Sequence, residues 1–372
     1  MSAGGGPRDG LGLHMGRQDD GTRELSTVAA PGAHVDRRFE QAGGMLILDA
    51  MIAIRTSPIA LVRWSEMPHA ERAIARGEVV RVRRGVFALA SEWSALAHWD
   101  RYLARVHAVA LIHPDAVFCL ESAAVLLGLP VMGDPVTVHV LLPPTGTSRQ
   151  LAGVRTHRSA PERTIVRDAG INLTAPIDTA VDIARHRHNA FGLAVADAAL
   201  RVDPVLDRDD LIRLNERRLS SRGRNIARWP LARATALAET ALESVSRACV
   251  EWLGFPMPEL QVTFRTHGVE DRCDFLWRTY ALCGEADGDL KYDGRFGDPR
   301  AILHLQSERD SRLRTRFRAV AHWGWREATD VAPLRGILTG VGLPQVAPED
   351  TAQLVSLRRA LTPRTSSAAP HR

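Results

Sequence analysis

Between residues 238 and 287 the hydrophobic pattern changes from helical to strand spacing, and this change limits the folds open to the chain more than any other feature. Apolar residues recur at helical intervals from Ala238 to Leu253, and the pattern stops at Gly254. Two alternating segments, LQVTFRTHG and RCDFLWRTY, and then ALCGEADG predict three consecutive strands. We therefore expect an α/β domain in which a helix precedes a three-stranded sheet.

Acidic residues occupy related points of these elements. Glu285 and Asp287 share one face of their strand, because side chains alternate along a strand, and Asp274 on the preceding strand can lie alongside them. Glu243 lies on the helix just upstream. Carboxylates this close repel one another unless a cation neutralises them, and their hard oxygen atoms suit Mg²⁺, with Mn²⁺ as a substitute. The pattern predicts a metal site of Glu243, Asp274 and Glu285, and catalytic roles for these residues and Asp287.

Lys291 is the only lysine in a chain with 48 lysine and arginine residues. It lies four residues beyond Asp287, where a cation could offset charge while a metal-activated water attacks a phosphodiester. We therefore include Lys291 among the predicted catalytic residues. A GC-rich genome that replaces lysine by arginine is a simpler explanation of the scarcity of lysine, although it leaves Lys291 itself unexplained. For the metal site, the alternative that stays open is a structural role in which Asp274 pairs with Arg272 or Arg278.

The segment from Glu239 to about Asp330 resembles the PD-(D/E)xK nuclease superfamily, and within it the subgroup similar to very-short-patch mismatch-repair endonucleases. The strict motif has lysine two residues after the glutamate, where this chain has Asp287. The resemblance implies a restriction-endonuclease-like fold and magnesium-dependent hydrolysis of DNA, and it leaves open whether catalysis is retained. The residues that match the subgroup motif are Arg272, Asp274, Phe275, Trp277, Glu285, Asp287, Gly288, Lys291 and Tyr292.

Downstream, SERDSRLRTRFRAVAHWGWRE fits a helix followed by an aromatic strand. Leu313, Phe317 and Val320 form its predicted buried stripe. An ordinary amphipathic helix has the same pattern, so the alternative to DNA contact stays open. The arginines predicted to form an exposed, DNA-binding face are Arg309, Arg312 and Arg316.

Near the other end, ARGEVVRVRRGVFAL has valines flanking a cationic tip of Arg81, Arg83 and Arg84, and Gly85 supplies a turn. Short helices followed by a tight basic hairpin are typical of a winged helix-turn-helix, whose wing contacts double-stranded DNA. A solvated hairpin without that role is the alternative.

This hairpin and the region after it resemble the AbiEi family of antitoxins, in which RxxRGVY/F forms the wing. CLESAAVLLGLP and LTAPIDTAVDIA match two further elements of that family, with Cys119 at the first position of one and Asp178 where the other usually carries arginine. The resemblance implies a type IV toxin–antitoxin antitoxin and transcription regulator, with a nucleotidyltransferase toxin as partner. Glu121, Ser122 and Asp182 are candidate site residues, although acidic residues at helix starts are usually caps, and Thr174 or Asp178 is the candidate cap of the second helix.

Together these patterns predict a multidomain protein of α+β or α/β class, with a winged helix, a mixed α/β middle domain and a restriction-endonuclease-like domain. The predicted segments are a disordered leader (1–44), the winged helix (45–96), the antitoxin-like domain (97–212), a basic linker (213–235), the endonuclease-like domain (236–335), and a C-terminal helix with a flexible tail (336–372).

Composition points to a cytoplasmic protein. No run approaches the roughly 20 apolar residues of a membrane span, so no membrane partner is expected. The four cysteines lie in apolar runs without zinc-ligand spacing, which predicts buried, reduced thiols. The net charge of +5 comes from cations that are nearly all arginine, the residue suited to paired phosphate contacts.

Three functions fit the sequence. The first, which we favour, is a DNA-binding antitoxin-like regulator fused to an endonuclease-like domain. The second is a magnesium-dependent DNA endonuclease directed by the winged helix. In the third, the middle domain chiefly binds a protein such as a nucleotidyltransferase toxin. The sequence leaves open whether the protein is an enzyme.

Overall fold

The computed structural model describes residues 39–42, 45–48, 52–142, 150–151, 153–158, 163–266, 268–287 and 299–362. The chain divides into two compact units, Met1–Asp36 and Arg37–Arg372. The first unit lies outside the described residues, as do Lys291 and the predicted tail beyond residue 362.

Helices and strands are numbered in chain order within the described residues. The strands are β1 (Phe39–Ala42), β2 (Met45–Leu48), β3 (Val62–Arg63), β4 (Val79–Arg83), β5 (Val86–Leu89), β6 (Val117–Phe118), β7 (Val138–Leu142), β8 (Gln150–Leu151), β9 (Val154–Arg158), β10 (Ile165–Asp168), β11 (Ile171–Thr174), β12 (Glu259–Thr266), β13 (Val269–Trp277), β14 (Leu282–Ala286) and β15 (Ala319–Trp323). The helices are α1 (Ala70–Ala75), α2 (Ala90–Ala95), α3 (His98–Ile112), α4 (Leu120–Leu126), α5 (Pro176–His186), α6 (Asn189–Val202), α7 (Arg208–Arg217), α8 (Arg224–Ala232), α9 (Ala241–Trp252), α10 (Pro299–Arg316), α11 (Trp325–Asp330), α12 (Ala332–Gly340) and α13 (Thr351–Leu361).

The strands form three sheets, which confirms the mixed helix and sheet class in its coarse form. A small antiparallel sheet has the order β3-β5-β4, and its β4–β5 hairpin turns at Gly85, whose φ of 84° is accessible to glycine at little cost. The basic hairpin predicted here is therefore present, while its assignment to a winged helix stays a prediction. Within the described residues no helix is long and apolar enough to cross a membrane.

The middle region is built on an eight-stranded mixed sheet with the order β1-β2-β10-β11-β6-β7-β9-β8. β1 lies inside the segment 1–44 that was predicted to be disordered, and it pairs with β2 just beyond that segment, so ordered structure begins earlier than predicted. The composition of that segment does not predict this strand. The pairing of β1 with β2 satisfies the backbone N–H and C=O groups of β1, and such pairing does not require a run of apolar residues.

The predicted basic linker, 213–235, is instead helical. α7 and α8 cover most of it, and Leu231 of α8 is fully buried in the core of the middle region. The arginines of this segment predicted a solvent-exposed linker. Arg218, however, is only 3% exposed, because it pairs with the buried Asp178. A dense set of arginines can therefore belong to a packed helix pair when buried carboxylates lie opposite.

The C-terminal region is a four-stranded sheet with the order β12-β13-β14-β15. The first three strands are antiparallel, and β15 lies parallel to β14 after α10 has crossed between them. α9 packs with one face of the sheet and the end of α10 with the other, since alternate strand residues fall into two separate apolar clusters. Gly284 allows this packing: a Cβ there would lie 2.5 Å from the indole of Trp323.

Helix α6 contributes side chains to the core of the middle region and to the core of the C-terminal region. Near its start, α6 places Phe191 and Leu193 in the C-terminal core, while Val195 and Leu200 further along belong to the core of the middle region. Asp197, on the same helix, accepts hydrogen bonds from Arg247 and Ser244 of α9. The two regions are therefore joined by shared packing and a buried ion pair.

The prediction of four reduced cysteines is wrong for two of them. Cys273 of β13 and Cys283 of β14 form a disulfide bond, whereas Cys119 and Cys249 are free and buried. The two bonded cysteines are ten residues apart along the chain. Neighbouring antiparallel strands bring them together, and no spacing rule applied to the sequence alone identifies such a pair.

Candidate functional site

Four carboxylates from α9, β13 and β14 gather at one end of the C-terminal sheet, and we call this group the carboxylate cluster: Glu243, Asp274, Glu285 and Asp287. The register between β12 and β13 is the same on both sides of this point, but Gln261 and Asp274, which lie between the Leu260–Phe275 and Val262–Cys273 pairs, are omitted from the ladder. Gln261, one of the omitted residues, has a left-handed φ of 52°. Strained backbone of this kind often accompanies functional sites.

Gln261 links the first two members of the cluster. Its side-chain nitrogen donates to Glu243 Oε2 at 2.8 Å and to Asp274 Oδ1 at 3.2 Å. Both carboxylate oxygens therefore lie within hydrogen-bond distance of one atom. Glu243 also accepts from the backbone N–H of Glu239 and the hydroxyl of Thr240, so it helps to cap the start of α9. Its burial and the nearby Asp274 raise the pKa of Glu243.

Glu285 is the most deeply buried member, at 1% exposure. Burial and the nearby charge of Asp274 raise the pKa of Glu285 to about 7, although Arg309 of α10 lies 2.6 Å from Oε2 and opposes the shift. Asp274 Oδ2 accepts from the backbone N–H of Ala286 at 3.0 Å, which holds it against β14. The sequence prediction that these carboxylates approach one another agrees with this geometry, while their catalytic and metal-binding roles stay predictions.

His322 and Asp310 extend the cluster, and the sequence analysis missed both. His322 of β15 pairs in register with Glu285, and its Nδ1 donates to Asp287 Oδ2 at 2.8 Å. Its Nε2 lies 3.2 Å from Asp310 Oδ2 on α10. The hydrogen bond to Asp287 is the main reason that the pKa of His322 is raised. Only the parallel pairing of β15 with β14 places this histidine, and that pairing was not predicted.

The arginines predicted for an exposed face of α10 have partners within the protein. Arg309 pairs with Glu285, and Arg312 forms two hydrogen bonds of 2.7 and 2.8 Å with Asp271. Arg316 stacks over the ring of Phe264, 4.5 Å from its centroid. Helical spacing identified the buried Leu313 and Phe317 correctly, but it could not show that the opposite sheet presents carboxylates to the arginine face. DNA contact by these three arginines stays a prediction.

The hairpin surface comprises Trp64, Arg81, Arg84 and the ring of Phe87, around a concavity of about 390 Å³. Arg81 and Arg84 are exposed, and within the described residues neither forms an ion pair. The Arg81 guanidinium lies 5.8 Å from the centroid of Phe87, and Trp64 is 43% exposed beside it. Arg83 differs from its neighbours, because it is half-buried and burial lowers its pKa.

In the middle region the acidic residues predicted as helix caps are buried ion-pair partners instead. Asp178 lies 2.5 Å from Arg218, Asp182 lies 2.6 Å from Arg163, and Glu121 pairs with Arg187. α5 begins after Ala175 without a side-chain cap, and Thr174 bonds to the hydroxyl of Thr179. Ser122 accepts from the backbone N–H of His139. These residues hold the fold of the middle region together.

The oxygen atoms of the carboxylate cluster are of the type that binds a divalent cation, but Glu243, Asp274 and Glu285 would have to move closer together to share one ion, because among the described residues only Cys273, Cys283 and Glu285 place three ligand atoms within 4.8 Å of one another. Glu243, Asp274 and Glu285 supply hard oxygen atoms, which Mg²⁺ and Mn²⁺ prefer, and burial, together with the charge of Asp274, raises the pKa of Glu243 and of Glu285. Gln261 and Arg309 occupy positions among these oxygens, so they would have to yield part of their contacts to an ion. Cys273 and Cys283 also lie near Glu285, but their disulfide bond removes them as ligands.

We expect Glu285→Gln to gain stability relative to wild type as the pH rises. The pKa of Glu285 is about 7 in the folded protein and 4.5 in the unfolded chain. Protonated Glu285 therefore contributes its full share to the free energy of unfolding of wild type below pH 4.5, and this contribution is lost as the pH approaches 7. Without a bound metal, the difference between variant and wild type in the free energy of unfolding should change by roughly 2–3 kcal/mol across that range. Denaturant unfolding at a series of pH values measures it.

Glu270→Gln, on the exposed end of β13, is the matched control for this pH series. It makes the same chemical change away from the carboxylate cluster, so its stability should follow that of wild type. If the Glu285→Gln curve also runs parallel to wild type, Glu285 is not held in the environment described here.

Comparison with known proteins gives one family match and two relatives. The family model described as the AbiEi antitoxin C-terminal domain matches residues 116–229. Two proteins of Mycobacterium tuberculosis, Uncharacterized protein MT2308 from strain CDC 1551 / Oshkosh and Uncharacterized protein Rv2248 from strain ATCC 25618 / H37Rv, are each 34% identical over 254 residues, which is 68% of this chain and 85% of theirs. No solved structure matches the chain significantly.

Proposed function

Because this chain belongs to the family of these two mycobacterial proteins and carries an AbiEi antitoxin C-terminal domain, we propose that it is a DNA-binding antitoxin and transcription regulator of a toxin–antitoxin system. Its DNA-binding part is the hairpin surface at the N-terminal side of the matched domain. Such a role implies a cytoplasmic location. It also implies a toxin partner, for which we propose a nucleotidyltransferase that binds the middle region.

The observation that carries the DNA-binding proposal is the pair of exposed, unpaired arginines at the hairpin. Arg309 and Arg312 of α10 and Arg163, Arg187 and Arg218 of the middle region each pair with a carboxylate of the same chain, whereas Arg81 and Arg84 have no ion-pair partner in the described part. Exposed guanidinium groups at the turn of a hairpin suit phosphate oxygens and the minor groove. Trp64 next to them adds an aromatic surface against which a sugar or a base edge can pack.

The test is the affinity of the full chain for a labelled random-sequence duplex, measured by fluorescence anisotropy at low salt. Arg81→Gln/Arg84→Gln should weaken binding by about tenfold or more, because two phosphate contacts are lost. The control is Arg208→Gln/Arg213→Gln, which removes the same charge from the exposed side of α7. If the two double variants lose equal affinity, net charge and not the hairpin is responsible.

A second candidate function is metal-dependent hydrolysis of DNA at the carboxylate cluster. The observation that favours it is the placement of Glu243 and Asp274 on either side of the Gln261 amide, with Glu285, Asp287 and His322 nearby. The order of elements along the chain, a helix, three strands, a helix and a further strand, agrees with the order implied by the nuclease resemblance.

In that function Glu243, Asp274 and Glu285 would hold Mg²⁺, which would orient a phosphate and supply an activated water. His322 is placed to move a proton, since it lies between Asp287 and Asp310. Arg309 could exchange its contact with Glu285 for a phosphate oxygen once a cation takes over the carboxylate. Lys291 would offset charge as predicted from the sequence.

A further inference from the structure

A pocket of about 310 Å³ lies in the middle region, away from both the hairpin surface and the carboxylate cluster. It is formed by the last turn of α5, the segment that enters α4, and the loop between α7 and α8. Gly223 makes the loop's approach feasible. Its φ is 72°, and a Cβ at this position would lie 2.1 Å from the carbonyl oxygen of Arg185. Any other residue would push Ser220 and Arg222 away from the end of α5.

Positive charge exceeds negative charge around this pocket. Of its lining arginines, Arg163 is paired with Asp182, and Arg218 lies 2.5 Å from Asp178 and 3.7 Å from Asp182. These two carboxylates are therefore already engaged. Arg185 and Arg222 also line the pocket, and neither forms an ion pair with a described residue.

Arg185 is the main anomaly. It is only 5% exposed, its Nη2 donates to the carbonyl of Ser220, and its buried Nε has no hydrogen-bond partner within the described part of the chain. A buried guanidinium that lacks a carboxylate is costly. Burial and then the positive charge of Arg218 lower the pKa of Arg185, which agrees with an excess of cations around it.

We propose that this pocket binds a small phosphate-bearing molecule, with its phosphate held by Arg185 and Arg222. Guanidinium groups match phosphate oxygens in pairs, and an anion here would satisfy the free Nε and offset the surplus charge. Leu120 and Leu141 add apolar surface to the lining. The volume is in the range of small-ligand sites and suits a molecule of nucleotide size.

A DNA backbone is a poor fit to this pocket. Duplex phosphates contact side chains that project from a surface, and Arg185 is almost completely buried. The inference therefore concerns a separate site and does not depend on the proposed function. Loss of DNA binding by the hairpin variants would leave it unaffected.

The test is isothermal titration calorimetry of the full chain with inorganic phosphate and with adenosine monophosphate. Both should bind, and Arg185→Gln and Arg222→Gln should each weaken binding by about tenfold. Arg217→Gln, an exposed change of the same kind at the end of α7, should stay within about twofold of wild type. Tighter binding of adenosine monophosphate than of phosphate identifies a nucleotide ligand, and equal binding identifies phosphate itself.

Arg222 is exposed, so its variant keeps the test decisive if Arg185→Gln does not fold. Absence of binding by either probe at millimolar concentration would overturn the proposal. Binding that is the same in wild type, Arg222→Gln and Arg217→Gln would also overturn it, because the anion would then be bound elsewhere.

Discussion

Replacing Arg247 by methionine is expected to lower the free energy of unfolding by about 3–5 kcal/mol at pH 8. Arg247 of α9 lies 3.0 Å from Asp197 of α6, which has no exposed surface, and it also donates to the carbonyl of Arg233. Its removal leaves a buried carboxylate without its countercharge. Because α6 contributes to both large cores, we expect the whole unit to unfold in one cooperative transition at a lower denaturant concentration than wild type. Chemical denaturation followed by far-UV circular dichroism and by tryptophan fluorescence measures this change.

The loss in the free energy of unfolding should be smaller at lower pH. Burial raises the pKa of Asp197 to about 6 against the opposing effect of Arg247, so removing the arginine moves it higher still. Near pH 5 the orphaned Asp197 binds a proton in the variant, and no unpaired charge is buried. The stability difference between Arg247→Met and wild type should therefore be smaller at pH 5 than at pH 8.

Arg358→Met is the matched control. Arg358 also lies 3.0 Å from an aspartate, Asp330, but both side chains of that pair are more than half exposed. An exposed pair contributes at most about 1 kcal/mol, so this variant should remain close to wild type at both pH values. Equal effects of Arg247→Met and Arg358→Met would contradict the assignment of a buried bridge between the two cores.

The second large effect concerns the carboxylate cluster. If the chain cleaves DNA, Asp274→Asn and Glu285→Gln should each reduce Mn²⁺-dependent nicking of supercoiled plasmid by about 100-fold or more. Each substitution removes one negative charge from the set that would hold the cation. Glu259→Gln on the exposed edge of β12 should keep full activity, since it lies outside the cluster.

A thermal shift provides a readout that does not depend on cleavage. Mn²⁺ that binds the folded protein should raise the melting temperature of wild type and of Glu259→Gln, but not that of Asp274→Asn. If wild type neither nicks DNA nor responds to Mn²⁺ or Mg²⁺, the hydrolytic function is excluded. The DNA-binding proposal would stand, because it rests on different residues.

Periodicity in the sequence was enough to predict the elements that bring the carboxylates together. The helix before Gly254 and the three strands after it exist, and their alternation places Glu285 near Asp274. The tight basic turn at Gly85 could also be predicted from the sequence, because glycine favours turns and the flanking valines favour strands.

What could not be predicted depends on contacts between distant segments. The partners of Arg309 and Arg312 lie on strands more than twenty residues away, so the helix alone could only suggest an exposed face. His322 joins the cluster through the parallel pairing of β15 with β14. Arg218 was predicted to lie in a solvated linker, because its buried partner Asp178 is 40 residues earlier in the chain and the local pattern does not reveal it.

The central claim, that the hairpin binds duplex DNA through Arg81 and Arg84, is tested most directly by the salt dependence of binding. The slope of log affinity against log salt concentration counts released counterions, at about 0.9 for each phosphate contact. We predict that the slope for Arg81→Gln/Arg84→Gln is shallower than that of wild type by about 2, and that Arg208→Gln/Arg213→Gln retains the wild-type slope. A slope that is identical in wild type and the hairpin variant would contradict the account.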